Sequence, residues 1–321
     1  MSIFLVIFMY GAWSSIFSLG KVALESSPPI FLTSIRMLFA AVILLGWLFL
    51  KDRKSLKIGK SQILPLLALS VFSIYLTNIL EFWGLQHLTA AKTCFIYSLS
   101  PFFAAIFSYI HFGEKMNKKK LFGMLIGFAG FVPVLMMQTG NEGLFQAFSF
   151  FSWPELAIMG AALFSVYGWV LLRIIVKKQT LSPMYANGYS MLLGGTMAFV
   201  HSLFVDHWNP IPVAAGHMTP FIQGIVLMTL VSNILCYNLY GYMLKKYTAT
   251  FLSFMGLLSP IFASINSWII LGESPSWQIL LSTSIVSLGL FIVYQAELKQ
   301  GYIIKRERKT ASNDQVESLE A

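Results

Sequence analysis

Charge is scarce in this sequence: Asp, Glu, Lys and Arg make up 11% of its 321 residues, against 57% that are hydrophobic. So little polar surface cannot cover a soluble globule of this size, and a mean hydropathy of +0.72 places the chain in lipid. Acidic residues are the scarcer sign, 13 against 22 basic, for a net charge of +9. The excess does not read as a nucleic-acid face, because the Lys and Arg stand in short clusters between apolar runs. Cysteine is nearly absent. Cys94 and Cys236 both fall inside apolar runs, which excludes a disulfide framework and a paired-ligand metal site. Missing too are a phosphate-binding P-loop, a dinucleotide fingerprint, a His-Glu-x-x-His zinc motif and a Gly-x-Ser-x-Gly elbow. ATP-driven pumping within the chain and hydrolysis therefore lack support, and no cofactor, metal or catalytic residue is implied. Met1 is followed at once by an apolar stretch without a basic n-region or a small-residue cleavage site, so a removable signal peptide is not expected.

What the chain does contain is a duplication. Residues 98–114 read SLSPFFAAIFSYIHFGE and residues 257–273 read LLSPIFASINSWIILGE, 159 positions apart. From Leu99 to Glu114, ten of sixteen positions recur, including Ser100/Ser259, Pro101/Pro260, Gly113/Gly272 and Glu114/Glu273. A repeat unit near 150 residues is too long for a solenoid. Ten windows are long and apolar enough to span a bilayer: 2–20, 30–49, 62–85, 90–111, 121–138, 153–173, 185–205, 221–243, 250–271 and 278–296.

The fold class expected is an all-α membrane protein of ten transmembrane helices arranged as two inverted five-helix repeats. Of the 22 Lys and Arg, 19 lie in alternate connections, after the second, fourth, sixth, eighth and tenth windows; the others are Lys21, Arg36 and Lys92. The positive-inside rule then puts both termini in the cytoplasm. Five spans per half is odd, so the second half enters the membrane in the opposite sense. The expected organisation is a first repeat at 1–138, a periplasmic connection at 139–152, a second repeat at 153–296 and a disordered cytoplasmic tail at 297–321. Paired inverted halves hold a small-molecule site near the midplane and work by alternating access.

Ionisable groups at membrane depth mark candidate sites. Glu81 lies about one helical turn inside the outer boundary and Arg36 about two. Ser70, Ser73, Thr77 and Glu81 stand at helical spacing with Asn78 beside them, a polar face that should not touch lipid. The 159-residue offset takes Ser70, Ser73, Asn78 and Glu81 to Thr229, Ser232, Tyr237 and Tyr240, with Asn233 and Asn238 interleaved. A single carboxylate against an aromatic and amide wall favours a substrate carrying positive charge. Tyr97, Tyr167, Trp169, Tyr189 and Ser190 add aromatic and hydroxyl groups near mid-membrane. The plainer reading of Glu81 and Arg36 is a buried ion pair that holds the helices together. Glu155, Lys21 and Lys92 read as solvated or snorkelling groups at the outer boundary. Pro101 and Pro260 read as helix kinks and hinges, and Glu114 and Glu273 as helix-terminus or gating groups. Gly123, Gly127 and Gly130 form a small-residue face that suits packing within the chain or a homodimer contact equally.

Ala12-Trp13, Lys21, Pro28-Pro29, Arg36, Ser100-Pro101 and Gly113-Glu114, with the Ser-Pro and Gly-Glu part repeated in the second half, resemble the EamA repeat of the drug/metabolite transporter superfamily. The resemblance covers about residues 1–296. It implies a ten-helix carrier of the bacterial inner membrane moving amino acids, nucleotide sugars, drugs or other metabolites. The second half departs from the pattern in lacking a counterpart to Arg36, where an alignment puts Ser190. Within the superfamily, the general character of the chain is similar to the S-adenosylmethionine/S-adenosylhomocysteine transporters of obligate intracellular bacteria. That resemblance implies Glu81 and nearby rings for the sulfonium and ammonium, Arg36 for the carboxylate and an aromatic ring for the adenine. An amino-acid or drug exporter of the same superfamily would use the same carboxylate and arginine for a zwitterion.

Overall fold

The computed structural model describes residues 2–51, 58–88, 93, 96–97, 99–138, 152–178, 181–259, 261–262 and 277–302. Among them helix is the only regular structure, as it must be where no water is present to satisfy backbone groups outside a closed barrel. The helices are α1 (Ser2–Trp13), α2 (Ser15–Ser26), α3 (Pro29–Lys51), α4 (Lys60–Leu69), α5 (Thr77–His87), α6 (Ser100–Phe112), α7 (Lys118–Gln138), α8 (Trp153–Lys178), α9 (Pro183–Val205), α10 (Met218–Met228), α11 (Tyr237–Met243), α12 (Ala249–Met255) and α13 (Trp277–Lys299). Two π-helical segments, Ser70–Leu76 and Thr229–Cys236, join α4 to α5 and α10 to α11 without a break. Among the described residues, five helical runs are long and apolar enough to cross a bilayer: Pro29–Lys51, Lys60–His87, Trp153–Lys177, Pro183–Val205 and Met218–Met243.

Local signals set the ends. Pro183 fills the first turn of α9 behind Ser182, whose hydroxyl accepts from the Tyr185 amide. Thr248 caps α12 in the same way through the Phe251 amide at 2.9 Å. Helix α6 stops at Gly113, which adopts a left-handed φ of 66° that a side chain would resist. Pro101 occupies the first turn of α6, so it starts a helix and removes no helical hydrogen bond, which differs from the mid-helix kink expected from the 90–111 window.

Large apolar side chains point outward all round the bundle, among them Phe4, Leu50, Leu64 and Phe204 at 74% exposure or more. A belt of this kind is stable against acyl chains and unstable in water. The most extensive pairings are α7 with α13 and α3 with α9; α5 packs on α8, α2 on α10, and α6 on α12. Glycine permits the first of these. A Cβ on Gly289 would stand 2.7 Å or closer to the Gly127 nitrogen and the Gly123 carbonyl, and one on Gly127 would stand 2.3 Å from the Phe254 ring. The Gly123, Gly127 and Gly130 face is therefore filled inside the chain by α13 and Phe254. Ser282 also donates from α13 to the Gly130 carbonyl.

Ser70, Ser73, Thr77, Asn78, Thr229, Ser232 and Asn233 are all buried, so the polar faces of both long helices turn inward. Glu155 is buried as well, at 5% exposure in the first turn of α8, contrary to the solvated position expected for it. Lys92, Cys94, Pro260, Glu273 and the side chain of Lys21 lie outside the described residues, as do most of the 139–152 connection and the tail beyond Tyr302. Cys236 is a fully buried thiol.

Candidate functional site

The inward polar faces meet at an internal cavity with an empty volume of about 1010 Å³, part of it open to solvent. Its walls come from both halves of the chain: Tyr10, Trp13 and Ile16 around the α1–α2 junction, Arg36 of α3, Thr77, Asn78 and Glu81 of α5, Tyr97, Ser100, then Ser165, Val166 and Trp169 of α8, Ser232, Tyr237, Tyr240, and Ser253, Gly256, Leu257 and Ser259 around the end of α12.

One group of wall residues is charged. Arg36, 2% exposed in the middle of α3, donates through Nη2 to Oδ1 of Asn78, and its guanidinium lies 4.9 Å from the centre of the Phe82 ring. Its Nε has no hydrogen-bond partner. Asn78 is held in turn, its Nδ2 donating to the carbonyls of Ile74 at 2.8 Å and Ser73 at 3.3 Å. Glu81, one turn further along α5, accepts from the Tyr97 hydroxyl at 2.8 Å. No ion pair joins Arg36 to Glu81 among the described residues. The purely structural pair weighed from sequence is therefore absent, and both charges border the cavity. An unfilled donor edge on a buried guanidinium beside a carboxylate suits a ligand with an anionic and a cationic group.

A second group of wall residues is aromatic. The Trp169 ring lies 4.1 Å from Tyr240 and 5.0 Å from Tyr237, and Trp13 meets Trp169 edge-on at 5.7 Å. Tyr10 extends the cluster from Trp13 at 6.1 Å and anchors itself by donating to the Leu252 carbonyl at 2.6 Å. Such a wall offers flat π faces to a planar ring or to an onium group.

Eight of the substrate-binding candidates thus share one cavity: Arg36, Thr77, Asn78, Glu81, Tyr97, Trp169, Tyr237 and Tyr240. Three sit elsewhere. Tyr167 packs 5.0 Å from Phe72 and 5.1 Å from Phe107; Tyr189 packs on Tyr185 at 4.8 Å; Asn233 is fully buried and points its Nδ2 at the Met37 sulfur, 3.0 Å away. Tyr10, Trp13 and the serines of the wall were not singled out as site residues. The repeat held a signal for two of them, because Ser100 and Ser259 are duplicated mates and both line the cavity.

The hydrogen bonds also correct the mapping between halves. Asn238 Nδ2 donates to the Ile234 carbonyl at 2.8 Å and the Asn233 carbonyl at 3.2 Å, repeating the Asn78 pattern 160 positions on rather than 159. Asn78 therefore corresponds to Asn238 rather than to Tyr237, and Glu81 to Gly241 rather than to Tyr240. Likewise Asn187 of α9 donates to Asn238 Oδ1 at 3.1 Å, the bond that Arg36 makes to Asn78. The second half thus has a neutral counterpart to Arg36, one helical turn before Ser190.

Outside the cavity lining, Arg173 Nη2 meets Glu114 Oε1 at 2.6 Å, with the guanidinium 4.3 Å from the Phe112 ring centre. Beside it Lys120 meets Glu297 at 2.6 Å, and Thr248 donates to the same carboxylate at 2.6 Å. All five of these polar residues are buried. The pairs tie α6 and α7 to α8, α12 and α13.

The model of the EamA-like transporter family matches residues 1–136 and 152–295. An S-adenosylmethionine/S-adenosylhomocysteine transporter of Chlamydia trachomatis is 39% identical over 308 residues, covering 96% of this chain and 93% of its own length. A protein of the same description from Chlamydia muridarum is 38% identical over 312 residues, covering 96% of both. An uncharacterized transporter of Archaeoglobus fulgidus is 24% identical over 282 residues, 87% of this chain and 92% of that one. A solved crystal structure superposes with a TM-score of 0.72 at 15% identity, over 92% of this chain and 97% of its own, and so shares the fold.

Proposed function

This chain belongs to the EamA-like transporter family, and from that premise we propose that it is a secondary carrier exchanging S-adenosylmethionine for S-adenosylhomocysteine by alternating access. The observation that carries the reading is the cavity, whose wall brings Arg36 and Glu81 together with Trp13, Trp169, Tyr237 and Tyr240. Arg36 meets the substrate carboxylate, Glu81 the ammonium, and the rings take the adenine and the sulfonium. The two substrates share the adenosyl and amino-acid groups, so one pocket serves both. The names of the chlamydial relatives point the same way.

The chain crosses the bacterial inner membrane ten times, with repeats at 1–138 and 153–296 inverted relative to each other and both termini cytoplasmic. Two observations support this. Exchanging each span of the first repeat for its counterpart in the second turns the pairing of the α4–α5 span with α8 into that of the α10–α11 span with α1–α2, and leaves α3–α9, α7–α13 and α6–α12 unchanged. The ion pairs Glu114–Arg173 and Lys120–Glu297 lie at the ends rich in Lys and Arg. In this reading they latch the cytoplasmic side while the cavity is open elsewhere, and they part when the site turns inward. Pro101, Pro260 and Glu273 are, in the same reading, further hinge or gating positions of that movement.

The test is uptake of radiolabelled S-adenosylmethionine by bacteria that express the chain and have no uptake of their own, followed by a chase with unlabelled S-adenosylhomocysteine. Uptake above the empty vector with accelerated loss on the chase is expected. No uptake from protein present in the membrane would overturn the substrate assignment. Competition by free amino acids in place of adenosyl compounds would instead identify an amino-acid exporter, which Arg36 and Glu81 also suit.

A further inference from the structure

The two π-helical segments occupy matching places. In the first, the Thr77 amide reaches back five residues to the Phe72 carbonyl; in the second, Tyr237 does the same to Ser232. A π turn inserts one residue into a helix and frees carbonyls that an α-helix would pair. Here the freed carbonyls are taken by an asparagine in each case, Asn78 on Ser73 and Ile74, and Asn238 on Asn233 and Ile234. Each asparagine then offers its Oδ1 across to a neighbouring helix, Asn78 to Arg36 on α3 and Asn238 to Asn187 on α9. The first segment is seated on glycine: a Cβ on Gly168 would stand 2.4 Å from that of Ser73, and one on Gly194 would stand 2.7 Å from that of Ile74.

We propose that Asn78 and Asn238 are register locks, and that transport proceeds by a one-residue slide of the two π segments that these amides hold in place. Moving a π turn along a helix rotates the residues it passes by about 100° and advances them about 1.5 Å. A slide of one residue toward α5 would turn Thr77 off the cavity wall, and the matching slide toward α11 would turn Tyr237 off it. The lock and the cargo compete for one group. Arg36 that turns its guanidinium to a substrate carboxylate gives up Asn78 Oδ1, which ties release of the first lock to occupancy; this coupling rests on the carrier reading above. In the second half the partner is Asn187, which carries no charge and lies outside the cavity wall, so the two locks are released by different events.

Asn238 is the position to test, because it borders neither charged group of the cavity. Asn238→Ala leaves two carbonyls without a donor in the π register. In detergent-purified protein it should accelerate amide hydrogen exchange over residues 229–238 at least about tenfold. It should also slow S-adenosylhomocysteine exchange in liposomes by a similar factor, while affinity for that compound stays within about twofold. Unchanged amide exchange in 229–238, or affinity and transport falling together, would overturn the proposal. Should Asn238→Ala fail to fold, Asn187→Ala, which removes only the bond to Oδ1, must show the same pattern at smaller amplitude. Should the wild-type protein neither bind nor move S-adenosylhomocysteine, the carrier reading fails by itself. The comparison of amide exchange between ligand-free wild type and variant would still decide the lock.

Discussion

Removing one member of the Glu114–Arg173 pair should cost far more than removing both. The two side chains touch at 2.6 Å, are 5% and 4% exposed, and are joined by one hydrogen bond; Glu114 Oε2 and Arg173 Nε and Nη1 have no partner. Among the described residues the guanidinium's other contact is the Phe112 ring at 4.3 Å. Glu114→Gln therefore leaves Arg173 as a buried charge beside the like charge of Lys177, and Arg173→Met leaves Glu114 buried with no contacting cation, Lys177 acting on it only at longer range. Orphaning a buried charge in this way costs about 3–5 kcal/mol, whereas replacing both charges is often close to neutral. At about 1.4 kcal/mol per tenfold, each single variant should shift the folding equilibrium by two to four orders of magnitude. The double variant Glu114→Gln/Arg173→Met should recover most of that loss. The assay is reversible denaturation in micelles, followed by tryptophan fluorescence, with the coupling energy taken from the four-variant cycle. Additivity within about 0.5 kcal/mol would refute the reasoning, since it would mean that the two charges do not sense each other. If the pair is also a latch, the folded double variant should differ from the wild type in exchange rate as well.

Three further outcomes follow from the cavity and the helix packing. Glu81→Gln keeps the hydrogen bond from Tyr97 but loses the charge; a charge-assisted bond of about 1.5–3 kcal/mol predicts a tenfold or greater loss of affinity for S-adenosylmethionine in a binding titration, with insertion unchanged. Normal transport by that variant would defeat the charged-cavity argument. Trp169→Ala strips the central ring of the aromatic wall, and by analogy with base stacking on aromatic side chains should weaken binding of adenosyl compounds by about 1–3 kcal/mol, with little effect on competition by free amino acids. Gly127→Ala drives a methyl group to 2.3 Å from the Phe254 ring and should destabilise the protein by about 1–3 kcal/mol, read as a lowered melting temperature in micelles.

Much of the candidate site was legible because membrane-depth polarity is costly and so is informative where it occurs. Ser70, Ser73, Thr77 and Glu81, with Asn78 beside them, stood out as a face in the sequence; Thr77, Asn78 and Glu81 line the cavity, and Ser70 and Ser73 are buried away from it. Tyr97 and Trp169 were found by depth alone, and the same criterion also selected Tyr167 and Tyr189. Those two pack in other ring clusters because depth says nothing about the direction in which a helix turns a residue. Glu155 was misread for a related reason: closeness to an expected boundary does not reveal that α8 presents it to the interior.

The repeat offset shows the limit most clearly. A constant 159 residues, correct for the Ser-Pro and Gly-Glu segments, paired Asn78 with Tyr237, while the hydrogen bonds pair it with Asn238. The amino-acid sequence by itself determined residence in a membrane, the internal duplication and an inward polar face, because these follow from hydropathy, identity and helical period. Tertiary structure alone decided that Arg36 bonds to Asn78 instead of Glu81, that the glycine face is filled by α13, and that each π segment is closed by an asparagine. Those outcomes depend on helix rotation and on local departures from 3.6 residues per turn, and a periodic reading holds both of these constant.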